Sequence, residues 1–143
     1  MYVTTRALQL LVLAASLSLV ACGPAVDRPG TLTRLRSAIQ AEVSDHAVLE
    51  QHNQLARETA ESGALEGMFQ YELEEALGRG TECGVNHLCA QRDFRGNDWI
   101  YELGHAPGDD QLAAGPTLIV GFDSTGRVFR TFYMTRSAPQ SAR

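Results

Sequence analysis

Two cysteines stand six positions apart in Cys83-Gly84-Val85-Asn86-His87-Leu88-Cys89, with an imidazole between them. In an oxidising compartment, thiols at this spacing close a disulfide around a small loop. As thiolates they could hold a metal together with His87, but a closed tetrahedral site needs a fourth ligand, and no second paired cluster supplies one. A redox dithiol wants the tighter Cys-x-x-Cys spacing. The expectation is a Cys83–Cys89 bridge and no metal. The other histidines, His46, His52 and His105, are scattered. His46 and His52 fall on different faces of a helix, and His46 with Glu50 reads as a surface pair one turn apart. Asp109-Asp110 lacks the oxygen-rich spacing of a calcium loop and reads as a solvated turn. There is no Gly-x-Ser-x-Gly elbow and no phosphate loop. Glu72, Glu74 and Glu75 read as a wet helix face. With no converging acid, base and nucleophile, the chain is expected to be non-enzymatic, with no cofactor and no small-molecule substrate.

The third cysteine has different surroundings. Met1 to Arg6 carries one positive charge, and the run from Ala7 to Ala21 is mostly apolar. That pattern is a secretory signal. It is shorter than the roughly 20 apolar residues of a spanning helix. The run ends in Leu19-Val20-Ala21-Cys22, which resembles the lipobox of bacterial lipoprotein precursors. The resemblance implies cleavage before Cys22, diacylation of its sulfur and acylation of its new amine. The competing readings are an uncleaved anchor or an ordinary signal peptide with a chance cysteine. Gly23 follows Cys22 where enterobacterial sorting retains a lipoprotein at the inner membrane through Asp, which points to the periplasmic face of the outer membrane.

Without residues 1–21, the 143-residue chain leaves 122, enough for one small domain with its own core. All 12 basic side chains are arginine; with Arg6 removed, eleven face 17 carboxylates, a formal charge of −6. An acidic domain without a basic run is a poor partner for nucleic acid. It is equally poor as an electrostatic binder of anionic lipid.

The elements that would position these residues follow from periodicity. Residues 22–30, with Pro24 and Pro29, read as a tether. Residues 31–62 contain neither Pro nor Gly until Gly63 and show a thin apolar stripe at helical spacing, Leu32, Leu35, Ile39, Val43, Leu49, Leu55 and Ala60. They predict one amphipathic helix, capped by Thr31 and roughly 45 Å long. Met68 to Leu77 predicts a second helix, and Gly80 to Gly96 a stapled loop. Asp98 to His105 alternates, with Trp99, Tyr101 and Leu103 on one side, and predicts a half-buried strand. A long loop from His105 to Gly115-Pro116 follows. Thr117 to Phe122 is the second strand, and Asp123-Ser124-Thr125-Gly126 a turn. Arg127 to Thr135 is the third strand, with Val128, Phe132 and Met134 competing with Phe129 and Tyr133 for its inner face. Residues 137–143 read as a tail. The fold class is α+β: a two-layer sandwich with helices on a three-stranded antiparallel sheet, in the order ααβββ, plus the long N-terminal helix.

The stretch Gly67-Met68-Phe69-Gln70-Tyr71-Glu72-Leu73-Glu74-Glu75-Ala76-Leu77-Gly78 resembles the Gly-Met-x-x-x-x-Val-x-x-x-Leu-Gly signature of the BamE (SmpA/OmlA) lipoprotein family. Trp99-Ile100-Tyr101 is similar to that family's Trp-x-Tyr strand. Thr117 to Val128 is similar to its last hairpin, an apolar strand leading into Phe-Asp-x-x-Gly-x-Val. The resemblance covers residues about 60–135, with a BamE-like domain spanning residues 63–136. Phe69 departs from the family's capping Thr or Ser, and Arg79 replaces its Pro. The stapled loop is similar to the related beta-lactamase inhibitor fold, which has two tandem repeats where this chain has one. The resemblance implies a non-enzymatic interaction module. Its partners would be the membrane, reached through the lipid anchor, and envelope proteins of the β-barrel assembly machine. The candidate docking residues are Arg92, Phe94, Arg95, Asp109, Asp110 and Arg130. The alternative is a structural spacer or envelope-integrity lipoprotein with an unrelated partner, standing off the membrane on the 31–62 helix.

Overall fold

A strand that is apolar on both sides has to be covered on both sides, and Thr117–Phe122 is buried at all six positions. The computed structural model describes residues 25–138. The segment 1–21, Cys22 and residues 139–143 of the tail lie outside those residues. In chain order the elements are α1 (Arg28–Gln40), α2 (His46–Ser62), α3 (Gln70–Leu77), β1 (Thr81–Glu82), α4 (His87–Gln91), β2 (Trp99–Glu102), β3 (His105–Ala106), β4 (Asp109–Ala113), β5 (Thr117–Phe122) and β6 (Val128–Met134). The fold is α+β. Its antiparallel sheet has the order β1-β2-β5-β6, and β3 and β4 form a separate two-stranded ribbon.

One face of the sheet carries the larger core. Trp99, Tyr101, Leu118, Val120, Phe122 and Val128 pack there against Leu35, Ala38, Leu55, Ala56, Leu65, Met68, Leu73 and Leu77 of the helices and their turns. The opposite face carries a second, smaller core of Ile100, Ile119, Phe94, Cys83 and Cys89, with Leu88 and Phe132 against it. The two-layer expectation is therefore corrected: α4 and its flanking loop form a third, partial layer. The sheet has four strands where three were expected, because β1 pairs Thr81 with Ile100 and Glu82 with Trp99 at the edge of β2. The expected loop from His105 to Gly115 is largely the β3–β4 ribbon.

The single helix over 31–62 is also corrected. The chain leaves helical geometry at Ala41, which is extended, and re-enters at Asp45, whose carboxylate accepts from Val48 N at 3.0 Å. In between, Val43 N donates to His105 O at 2.9 Å and His105 N donates to Ala41 O at 3.0 Å. A thin stripe on one long rod could reach the core over only part of its length. Broken at 41–45, the two halves run antiparallel, and both place apolar residues in the same core. Arg34 meets Glu58 at 3.2 Å, and the Arg28 guanidinium donates to Ala64 O at 2.8 Å and Glu66 O at 2.7 Å. The cap of α1 is Asp27, which accepts from Gly30 N at 3.0 Å; Thr31 is buried one turn inside. α1 thus starts at Arg28, inside the expected tether.

The uncertain inner face of the third strand has a geometric cause. Phe122 pairs with Val128 and Gly121 with Arg130, so Phe129 is an extra residue on β6. Such a bulge switches the side on which successive residues point. Val128 and Tyr133, an odd number of residues apart, consequently both face the helices, while Phe132 faces the second core.

Replacing Asp45 with Ala removes the α2 cap and leaves an orphan amide. The expected loss is about 1 kcal/mol, or about 4 °C in Tm for a domain of this size. Asp45→Asn should keep most of that stability. Thermal unfolding followed by the emission of Trp99 reads both variants.

Candidate functional site

The broken helix creates a concavity where the sequence suggested none. The linker 43–46 and Leu49 form one wall, and Ala106, Pro107, Leu112, Ala113 and Ala114 form the second. Residues 136–138 form the third wall of this groove of about 670 Å³, a volume in the range that accepts a small ligand or a short chain segment. The floor is apolar; Ser44, Asp45, His46, Arg136 and Ser137 supply polar groups around it.

Each wall is held by specific bonds. Asn53, buried on α2, donates from Nδ2 to Arg136 O at 2.9 Å and accepts from Arg136 N at 3.0 Å. A side-chain amide here stands in for a strand partner and pins the segment after β6. The Arg136 guanidinium in turn donates to Ala113 O, tying that segment to the ribbon. His52, also buried, donates from Nδ1 to Leu103 O at 2.7 Å. Gly104 makes this packing possible: its φ is +118°, and a Cβ there would lie 2.4 Å from Val43 Cγ2 and 3.1 Å from His52 Nδ1. His52 is thus a packing element of the fold.

The residues expected to dock a partner divide between two places. Arg92, Phe94, Arg95 and Arg130 come together beside α4 as a clamp on the second core, with Arg92 and Arg95 exposed and Arg130 half-buried. Phe94 is only 8% exposed and sits in the second core, which corrects its expected exposure. The Arg130 guanidinium lies 4.0 Å from the Phe94 ring centroid and donates to Arg92 O at 3.0 Å and to Asp93 O. Arg92 stacks 4.7 Å over Phe132, and Arg95 donates to Phe122 O at 2.6 Å. Asp109 is elsewhere, exposed on the ribbon, where its carboxylate accepts from Gln111 N at 3.0 Å. Asp110 follows it in β4. Cys83 and Cys89 are bonded to each other and buried beneath the sheet. Cys22 lies outside the described residues.

The central residue of the clamp was not singled out from the sequence. Asp98 is 1% exposed. Its carboxylate accepts from Phe122 N at 2.9 Å and from Arg95 N at 2.7 Å. The β2–β5 ladder stops at Trp99 paired with Val120. Beyond that rung, Asp98 takes the amide and Arg95 the carbonyl of Phe122. A carboxylate just before an apolar strand was the available signal; its partner, 24 residues away, was not.

Among the described residues, three titrating groups depart from ordinary behaviour. Burial pushes the Glu102 carboxyl up, partly offset by the hydrogen bond from Thr117 Oγ1 and by Arg136. Hydrogen bonds from Thr125 and Arg127 hold half-buried Asp123 below the usual carboxylate range. Burial, with Glu74 nearby, pushes the Tyr101 phenol up, so it stays protonated and donates to Gly78 O at 2.9 Å. Among the described residues, no three His, Cys, Asp or Glu side chains gather in a group able to hold a metal. Among the same residues, no helix is long and apolar enough to cross a membrane.

Comparison with protein-family models, with curated proteins and with solved structures finds no match for this chain.

Two measurements follow from these geometries. Asp98→Ala strands two amides, and the expected loss is about 2–4 kcal/mol. Denaturant unfolding monitored at neighbouring Trp99 checks it, and Arg136→Ala, away from the clamp, should cost far less. Glu102 binds its proton more tightly in the folded than in the unfolded chain, so its contribution is most favourable below the ordinary carboxylate range and is lost as pH rises through the raised pKa. Glu102→Gln, which can still accept from Thr117, should flatten that decline. The variant should gain on the wild type between acidic and neutral pH in unfolding curves taken at each value.

Proposed function

We propose that the chain is a lipid-anchored envelope protein whose domain works as a non-enzymatic protein-interaction module, of the kind the BamE family contributes to outer-membrane β-barrel assembly. It stands on the periplasmic face of the outer membrane and takes no cofactor. The observation that carries this reading is Leu19-Val20-Ala21-Cys22, ending a signal-like apolar run six residues before α1 begins at Arg28. A bonded, buried Cys83–Cys89 pair supports an oxidising location. The order of α2 and α3 followed by neighbouring antiparallel strands β2, β5 and β6 supports the BamE-like layout. Relative to that layout, α1, β1, α4 and the ribbon are additions. Function resides in sites and not in the fold alone, and the groove bounded by the ribbon is the place a partner segment fits. Its wall residue Leu112 is 59% exposed. The clamp residues Arg92, Phe94, Arg95 and Arg130 already serve the fold. A spacer role would draw on a continuous 31–62 rod, and the antiparallel α1–α2 pair offers no such reach.

The test has two parts. The N-terminal peptide of the membrane-extracted protein should carry the mass of a triacylated Cys22, and Cys22→Ser should abolish both that mass and membrane retention. A photocrosslinker at Leu112 should capture named barrel-assembly proteins, whereas one at Arg95 should not. An unmodified Cys22 would remove the anchor, and crosslinks equal at the two positions would remove the groove.

A further inference from the structure

The two ends of the domain differ in what they expose. The strand β5 runs toward the turn Asp123–Gly126, and Trp99, at the start of antiparallel β2, lies at that same end. The chain after β1 continues there too, since Gly84 N donates to Gly96 O at 2.8 Å. So do the start of α3, through Gln70 N to Gly126 O at 2.9 Å, and the start of α1, through Arg28 to Ala64 O and Glu66 O. The ribbon, the 41–45 linker and residues 135–138 form the opposite end. Among the described residues, six large apolar side chains are exposed, and four of them, Val26, Tyr71, Val85 and Phe129, sit at or beside the first end. Tyr71 is 64% exposed and stacks on Phe69 at 5.3 Å, and the Arg127 guanidinium covers the other part of that ring at 3.8 Å.

We propose that this end of the domain rests on the phospholipid surface to which Cys22 is attached. The proposal rests on the lipid-anchor reading above. Six residue steps separate Cys22 from Arg28 and reach at most roughly 20 Å even when fully extended. α2 alone is roughly 25 Å long. The tether therefore keeps the Val26–Tyr71 end near the lipid, and the ribbon end could approach only with the tether drawn out and the domain inverted. The side chains suit an interface. Tyrosine with its ring in the apolar boundary and its hydroxyl in water is typical of membrane surfaces, and arginine lays its stem on apolar surface while its head stays wet. Three carboxylates at this end are engaged within the fold. Asp27 accepts from Gly30 N, Glu72 from Phe69 N at 2.7 Å, and Asp123 from Thr125 N at 2.8 Å. Exposed Glu66, Glu75 and Asp93 also stand at or beside this end, so the contact is with a zwitterionic surface through apolar and aromatic groups, not with anionic headgroups through charge.

The experiment uses the full lipidated protein in vesicles of phosphatidylcholine and phosphatidylethanolamine containing brominated acyl chains, which quench nearby tryptophan. Buried Trp99 supplies a constant background. Tyr71→Trp and Val85→Trp should be quenched several-fold more than Leu112→Trp, with no added dependence on anionic lipid. Equal quenching at both ends, or stronger quenching at position 112, overturns the proposal while leaving the anchor in place. Flotation with the vesicles, together with the acyl mass on Cys22, is scored in the same samples; loss of both overturns the anchor reading and this proposal with it. Quenching that appears only with anionic lipid overturns the apolar contact argued here.

Discussion

The burial of β5 on both faces is the constraint from which the remaining architecture follows. Leu118, Val120 and Phe122 need one cover and Ile119 needs another. Three helices provide the first; a five-residue helix, a bridge and Phe94 provide the second. The smaller cover is too short to hold itself by area alone. It is fastened instead, by Asp98 and Arg95 on the backbone of Phe122 and by Arg130 on the carbonyls at the end of α4. The buried carboxylate of Asp98 is tolerable there because both its oxygens accept backbone amides, although Arg130 Nε is buried in the same cover without a partner. Gly121 belongs to the same arrangement: a Cβ would stand 3.0 Å from the rings of both Phe94 and Phe129, so the bare backbone leaves room for the cover to close.

Much of this was legible where local rules dominate. Gly63 ends α2 in the left-handed conformation, with φ of 65°, as a glycine past an apolar periodic run implies. The strand Thr117–Phe122 has the bounds its composition suggests. The break at 41–45 was harder, since periodicity runs through it. Ser44-Asp45 was a usable cap signature, but what stabilises the break is hydrogen bonding to His105, more than 60 residues away. The β6 bulge was visible only as an ambiguity between Phe129, Phe132 and Tyr133. Among the candidate docking residues, Phe94 and Arg130 show that sequence position alone does not separate a free side chain from one that fastens a second core. The groove could not be read at all, because its three walls come from segments around residues 45, 110 and 137.

The fold has a polarity that links its two proposed surfaces. The end at which α1 starts gathers four of the six exposed large apolar residues among those described, while the groove lies at the other, where Asn53 and Arg136 hold its third wall. A domain so arranged can contact lipid and a partner without the two competing. The short α1–α2 hairpin sets the separation between them.

The bridge between Cys83 and Cys89 has a consequence for timing as well as for strength. It sits inside the cover of Ile119, so oxidation of the thiols fastens the closure of β5 on that face. For a chain exported as proposed, this ties the last stage of closure to the place where it occurs. With the thiols reduced, the smaller cover would lack its covalent link. Oxidation closes a loop already drawn together by its neighbours in sequence, and in a compartment without a reductant that closure persists.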